Sequence, residues 1–145
     1  MPERIDVFLM VGGILSAIAA LLHVGIIVGG APWYRFFGAG KRMVRACEAG
    51  RWYPAIVTSG IAMILAAWSA YAFSGAGLLA PLPLLRPALV LITAVYLVRG
   101  LAIVPLLSFA RSKSTPFLVW SSLICLGFGA IHALGLIRVW DHIRL

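Results

Sequence analysis

The sequence predicts an all-α integral membrane protein: a bundle of four transmembrane helices with a short amphipathic interfacial helix in the first loop. Three observations carry that expectation. The 145 residues are 63% hydrophobic and 11% charged, whereas soluble domains carry about 25% charged residues, and mean hydropathy is +1.05. Such a chain lacks the polar groups to cover a water-facing surface. Four apolar runs, residues 7–29, 54–73, 88–109 and 116–137, hold 23, 20, 22 and 22 residues, and roughly 20 residues span a hydrocarbon core as a helix. Helix follows over strand because lipid offers no partner to backbone N–H and C=O groups. Length and composition point to a single transmembrane domain over residues 1–145.

The first run is read as a retained helix. Small residues in SAIAA (16–20) would suit a signal peptidase, but the leading MPERID has no net positive side-chain charge, and the run exceeds the usual 7–15 residues of a signal core. Its Gly25 and Gly29 form a GxxxG pair, a flat face for close helix packing. Between the first and second runs lies the one sizeable loop, residues 30–53. It opens with Trp33, Tyr34, Phe36 and Phe37, which suit the headgroup boundary. Residues 39–49 then read as an amphipathic helix, with Ala39, Met43, Ala46 and Cys47 on one face and Lys41, Arg42, Arg45 and Glu48 on the rest. A basic helix of this kind is expected to lie on anionic lipid headgroups or to act as a plain orientation anchor.

The second run carries a small-residue stripe, Ala62, Ala66 and Ala70. The loop after it, residues 74–87, contains Pro81, Pro83 and Pro87, which favour a stiff extended crossing; Arg86 can snorkel there. The fourth run offers Gly127 and Gly135 as a further groove. These small faces serve either the bundle or a homo-oligomer. Cys47 and Cys125 form no CxxC and lie at different depths, so neither a disulfide nor a metal site is expected.

Charge sets the orientation. The first loop holds Arg35, Lys41, Arg42, Arg45 and Arg51 and the third adds Arg111 and Lys113, seven cations; Arg4, Arg86, Arg138 and Arg144 make four on the other side. The positive-inside rule puts the first and third loops in the cytoplasm and both termini outside, in a bacterial inner membrane. The net charge of +8 is read as membrane orientation and contact with anionic lipid, not nucleic-acid binding.

One residue breaks the pattern. Arg99 stands near the centre of the third run, where a charge costs about 2.5–3.5 kcal/mol. The four acids, Glu3, Asp6, Glu48 and Asp141, all lie in the termini or the first loop. Arg99 must therefore be met by helix carbonyls, hydroxyls and water, by Glu48 folding inward, or by an anionic ligand. Tyr96, three residues earlier, shares its helix face, and His23 and His132 lie about five residues to either side of the midplane in the first and fourth runs. Together they form a polar ladder with steps of roughly 8 Å. Two histidines that far apart along the normal cannot ligate one haem iron, and no carboxylate or thiolate accompanies them as a metal ligand set.

RMVRACEAGRWYP (42–54) and VYLVRG (95–100), 19 of the 145 residues, together resemble the membrane-associated eicosanoid and glutathione metabolism family. These are small four-helix membrane enzymes that form trimers. The resemblance implies that Arg45, Glu48, Tyr53, Tyr96 and Arg99 face a ligand, with glutathione as the cofactor. Three readings stay open at this stage: a membrane protein binding an anionic, amphipathic lipophilic ligand around Arg99, with Tyr96, His23 and His132 as neutral partners; an enzyme, glutathione-dependent or otherwise, acting on a lipophilic substrate; and a small transporter or channel subunit in which Gly100 and Pro105 break the third helix.

Overall fold

The computed structural model describes residues 5–109 and 115–143. Glu3, Arg4, Arg111, Lys113 and Arg144, used above in the acid and charge counts, lie outside the described residues. Among the described residues there are helices and no strand: α1 (Val7–Phe36), α2 (Lys41–Glu48), α3 (Tyr53–Gly75), α4 (Leu85–Leu101), α5 (Ile103–Phe109) and α6 (Pro116–Val139). Four stretches are long and apolar enough to cross a membrane: Val7–Phe36, Tyr53–Gly75, Leu85–Pro105 and Pro116–Val139. Many large apolar side chains, such as Leu21, Val28, Met63, Val98 and Ile137, are exposed, as suits helices apolar enough to face lipid.

The helix limits depart from the hydropathy reading where Gly and Pro act. The first helix does not end at Gly29. It continues to Phe36 through one non-helical residue, Gly30 (φ 64°, ψ −152°). Pro32 lacks an N–H and crowds the carbonyl four residues back, so the chain must kink, and only glycine takes that backbone angle without strain. The third helix starts at Leu85, three residues before the expected 88, because Pro87 falls in the first turn where no N–H is needed. It does not run unbroken to 109. Pro105 cannot donate to the Leu101 carbonyl, and the helix breaks at Ala102 into α4 and α5. The interfacial helix is shorter than the expected 39–49, covering Lys41–Glu48.

Packing divides the chain into two units, one made of Met1–Ser16 with Trp68–Leu145 and the other of Ala17–Ala67. In the first unit, α4 and α6 lie in close contact because glycine removes side-chain bulk at each crossing point. A Cβ on Gly100 would meet Leu126 at 2.5 Å, and one on Gly129 would meet Leu97 at 2.7 Å. Gly127, expected to open a groove, faces empty space instead, while Gly135 receives Leu9 and Asp6. Asp6 then fastens this unit. Its Oδ1 accepts from Leu9 N (2.9 Å) as a helix cap, its Oδ2 accepts from Arg138 Nε (3.0 Å), and its own N–H donates to the Ala76 carbonyl (3.1 Å). The Pro-rich loop is tied by Ser74, whose hydroxyl donates to Ala80 O and accepts from Leu82 N. Arg86 lies over the Trp140 ring, 3.6 Å from its centroid.

The second unit is built on Ile26, Tyr34 and Val44, with Ala31, Phe37, Met43 and Cys47 packed around them. Tyr34 is not an interfacial aromatic. It is 2% exposed, and its hydroxyl donates to Thr58 Oγ1 at 3.0 Å. Gly25 and Gly29 are likewise not free for a second helix, because the Trp33 indole folds back over both; a Cβ on Gly29 would overlap it. On the alanine stripe of α3, Ala62 is buried and Ala66 exposed.

Two outcomes test this packing. Asp6→Ala should lower stability in detergent by about 1–2 kcal/mol, combining a lost cap of about 1 kcal/mol with a solvent-screened ion pair worth less than that. Asp6→Asn, which keeps the cap acceptor, should lose the smaller part; equal losses on thermal melting would contradict the dual role. Gly29→Ala should cost about 1–3 kcal/mol by overpacking, and most of that cost should vanish when Trp33→Ala is added. A strictly additive double variant would place the glycine's role in another contact.

Candidate functional site

α4 delivers Arg99 in its last turn, where carbonyls left without helical partners favour a cation. Arg99 lies within the stretch Leu85–Pro105, three residues before the break at Ala102, and is exposed. Its guanidinium bridges to α6, with Nη1 donating to Ser122 Oγ (3.2 Å) and Nη2 to Ser121 Oγ (3.3 Å). Ser122 is 1% exposed, and the Ser121 hydroxyl donates a hydrogen bond to the Leu118 carbonyl (3.1 Å). Both hydroxyls therefore accept from the arginine from fixed positions.

No carboxylate forms an ion pair with Arg99 among the described residues. Asp6 is held by Arg138 and Glu48 by Arg35. Of the three ways of satisfying Arg99, the hydroxyl route is realised and Glu48 is engaged elsewhere. A guanidinium has five N–H donors and two are used, so a full positive charge and three donors remain. Nothing in the sequence pattern joins these two serines to Arg99.

Tyr96 and His132 belong to the same unit but not to an open site. The Tyr96 hydroxyl bonds Ser16 Oγ at 2.9 Å. Its ring is enclosed by Trp68, Phe128 and His132, with centroids at 5.0, 5.5 and 5.2 Å. His132 is fully buried. Its Nδ1 lies 2.8 Å from the Phe128 carbonyl, so a neutral ring carries its hydrogen there, and Nε2 has no partner. The ring fills the space left by Gly12, where a Cβ would come within 2.8 Å of Cε1. These residues wedge the α1 start, α4 and α6 together.

His23 lies in the other unit, where its Nδ1 meets the Ala19 carbonyl of its own helix at 2.7 Å. Both histidines thus bond along their own helix, not across to another as expected of buried imidazoles. Arg45, Glu48 and Tyr53 also belong to that unit. Arg45 and Tyr53 line a concavity with Lys41, Arg42 and Arg51, whereas Glu48 points to Arg35. Comparison with known proteins gives no match: no family model, curated relative or solved structure aligns with this chain.

Proposed function

We propose that the chain is a multi-pass membrane protein that holds the anionic group of a lipophilic, amphipathic ligand at Arg99, Ser121 and Ser122. The observation that supports this reading is an exposed guanidinium inside a stretch apolar enough to cross a membrane, with two neutral hydroxyl partners and, among the described residues, no ion-paired acid. Hydroxyl dipoles orient the arginine without cancelling its charge. An anion offering two oxygens takes the unused N–H groups as a fork and neutralises the cation where the local dielectric is low. The apolar remainder of the ligand stays in lipid, beside exposed neighbours such as Val95, Val98 and Leu101. Tyr96 and His132 are not assigned to the ligand in this reading. They fix α4 against α6 and so hold arginine and serines in register. The proposed setting is a bacterial inner membrane, with the first and third loops cytoplasmic, consistent with the seven-to-four distribution of Lys and Arg.

The test is mass spectrometry of amphiphiles that co-purify in mild detergent with the parent, Arg99→Leu and Arg99→Lys. An anionic amphiphile should be retained by the parent and reduced about tenfold or more in Arg99→Leu, a change equal to one charge-assisted hydrogen bond or more. Arg99→Lys should fall between, since it keeps the charge and loses the fork. Identical bound species in all three, with Arg99→Leu more stable than the parent, would sink the reading.

A further inference from the structure

The loop between α1 and α3 gathers a cluster of cations of its own, in the unit that does not contain Arg99. Its construction starts with α2, whose apolar residues Met43, Val44 and Cys47 are packed on Ile26, Tyr34 and Phe37. The apolar face of α2 is thus spent on the protein, and Lys41, Arg42 and Arg45 are left exposed. The helix then ends in a reversal. Gly50 N–H donates to the Cys47 carbonyl (3.0 Å) and Arg51 N–H to the Ala46 carbonyl (2.9 Å), with Gly50 at φ 66°. This paired bonding around a left-handed glycine is the Schellman helix ending, and it turns the chain back beside the helix it has just left.

The result is a concavity of about 860 Å³ lined by Lys41, Arg42, Arg45 and Arg51, with Ala46, Ala49 and Tyr53 completing its wall. Four cations therefore share one hollow and the alanines leave it open. The single acid in the segment, Glu48, is taken by Arg35 and is not part of the lining. Cations gathered this closely repel one another, and an anion carrying more than one charge relieves that repulsion. The hollow also lies where an apolar stretch begins. Tyr53 is the first residue of the span Tyr53–Gly75, and Trp52 beside it is 81% exposed, the placement expected of tryptophan at the headgroup boundary.

We propose that this hollow binds a phospholipid headgroup bearing two phosphates. The charge of the site and its place at the start of an apolar stretch match that group; a soluble diphosphate shares the charge but has no need of that place. A mere orientation anchor would respond to total lipid charge and not to its arrangement.

The full chain in mild detergent is titrated with tetraoleoyl cardiolipin, with dioleoyl phosphatidylglycerol at equal phosphate, and with inorganic pyrophosphate, and bound species are counted by native mass spectrometry. One cardiolipin should bind per chain, more tightly than phosphatidylglycerol and more tightly than pyrophosphate. Arg45→Gln/Arg51→Gln should weaken cardiolipin about 30-fold, from the loss of two near-surface cations. Arg35→Gln/Glu48→Gln leaves net charge and the four cations intact and should bind as the parent does, which separates loss of site from loss of fold. Equal affinity for the two lipids, or an unaffected Arg45→Gln/Arg51→Gln variant, overturns the proposal. Pyrophosphate binding as tightly as cardiolipin overturns the lipid assignment.

Discussion

Twelve Lys and Arg side chains share four carboxylates, and that imbalance organises the rest of the molecule. Each described acid with an ion pair is spent on architecture. Asp6 caps α1 and pins Arg138, joining both ends of its unit, and Glu48 ties α2 back to Arg35 at the end of α1. Neither is left to serve a membrane-level cation. Arg99 and the cluster on α2 consequently keep their charge, and in a low-dielectric setting an uncompensated charge is expensive. A soluble protein would dilute such charges in water. In a chain with this much exposed apolar surface that cost is larger, and it is the common ground of the two anion sites proposed above.

The neutral polar groups follow a different economy. His23, Thr58, Thr93, Ser108 and His132 each bond the carbonyl four residues earlier, at Ala19, Pro54, Leu89, Val104 and Phe128. Helices this apolar offer few partners across their faces, so a polar side chain turns to its own backbone, where a carbonyl can accept a second bond. The histidines and threonines that stand out in the sequence are thereby largely satisfied within single helices. His132 keeps an unpartnered Nε2, and Arg99 keeps a charge and a set of five donors that no single carbonyl can satisfy.

Helix number and approximate placement were legible because hydropathy alone determines where a backbone can cross lipid. The misplacements came from residues whose effect is steric and local. Gly30 lets α1 continue past Pro32, Pro87 fits inside a first turn, and Pro105 breaks a helix that hydropathy draws as continuous. Gly25 and Gly29 were legible as a flat face, but not as the seat of Trp33, which lies four residues beyond Gly29 in the same chain. Val44, the buried centre of α2, was overlooked because an eight-residue helix gives only two turns from which to judge a face. Arg99 was legible as the anomaly. Its serine partners were not, because a contact across 22 or 23 positions leaves no periodic trace.

The identity of the residue at 99 adds a last step. A lysine at that depth can shed its proton and become a neutral amine, whereas arginine stays charged. Its planar fork also requires acceptors side by side, and adjacent Ser121 and Ser122 supply them from one turn of α6. Those two bonds hold the guanidinium plane against α6 while Arg99 remains exposed. A cation needed only for helix packing would be better placed as a hydroxyl or amide, which bonds serine without the cost of charge. The persistence of a fork-shaped, always-charged group, braced on one side and open on the other, is most economically explained by something that approaches from the open side carrying the opposite charge.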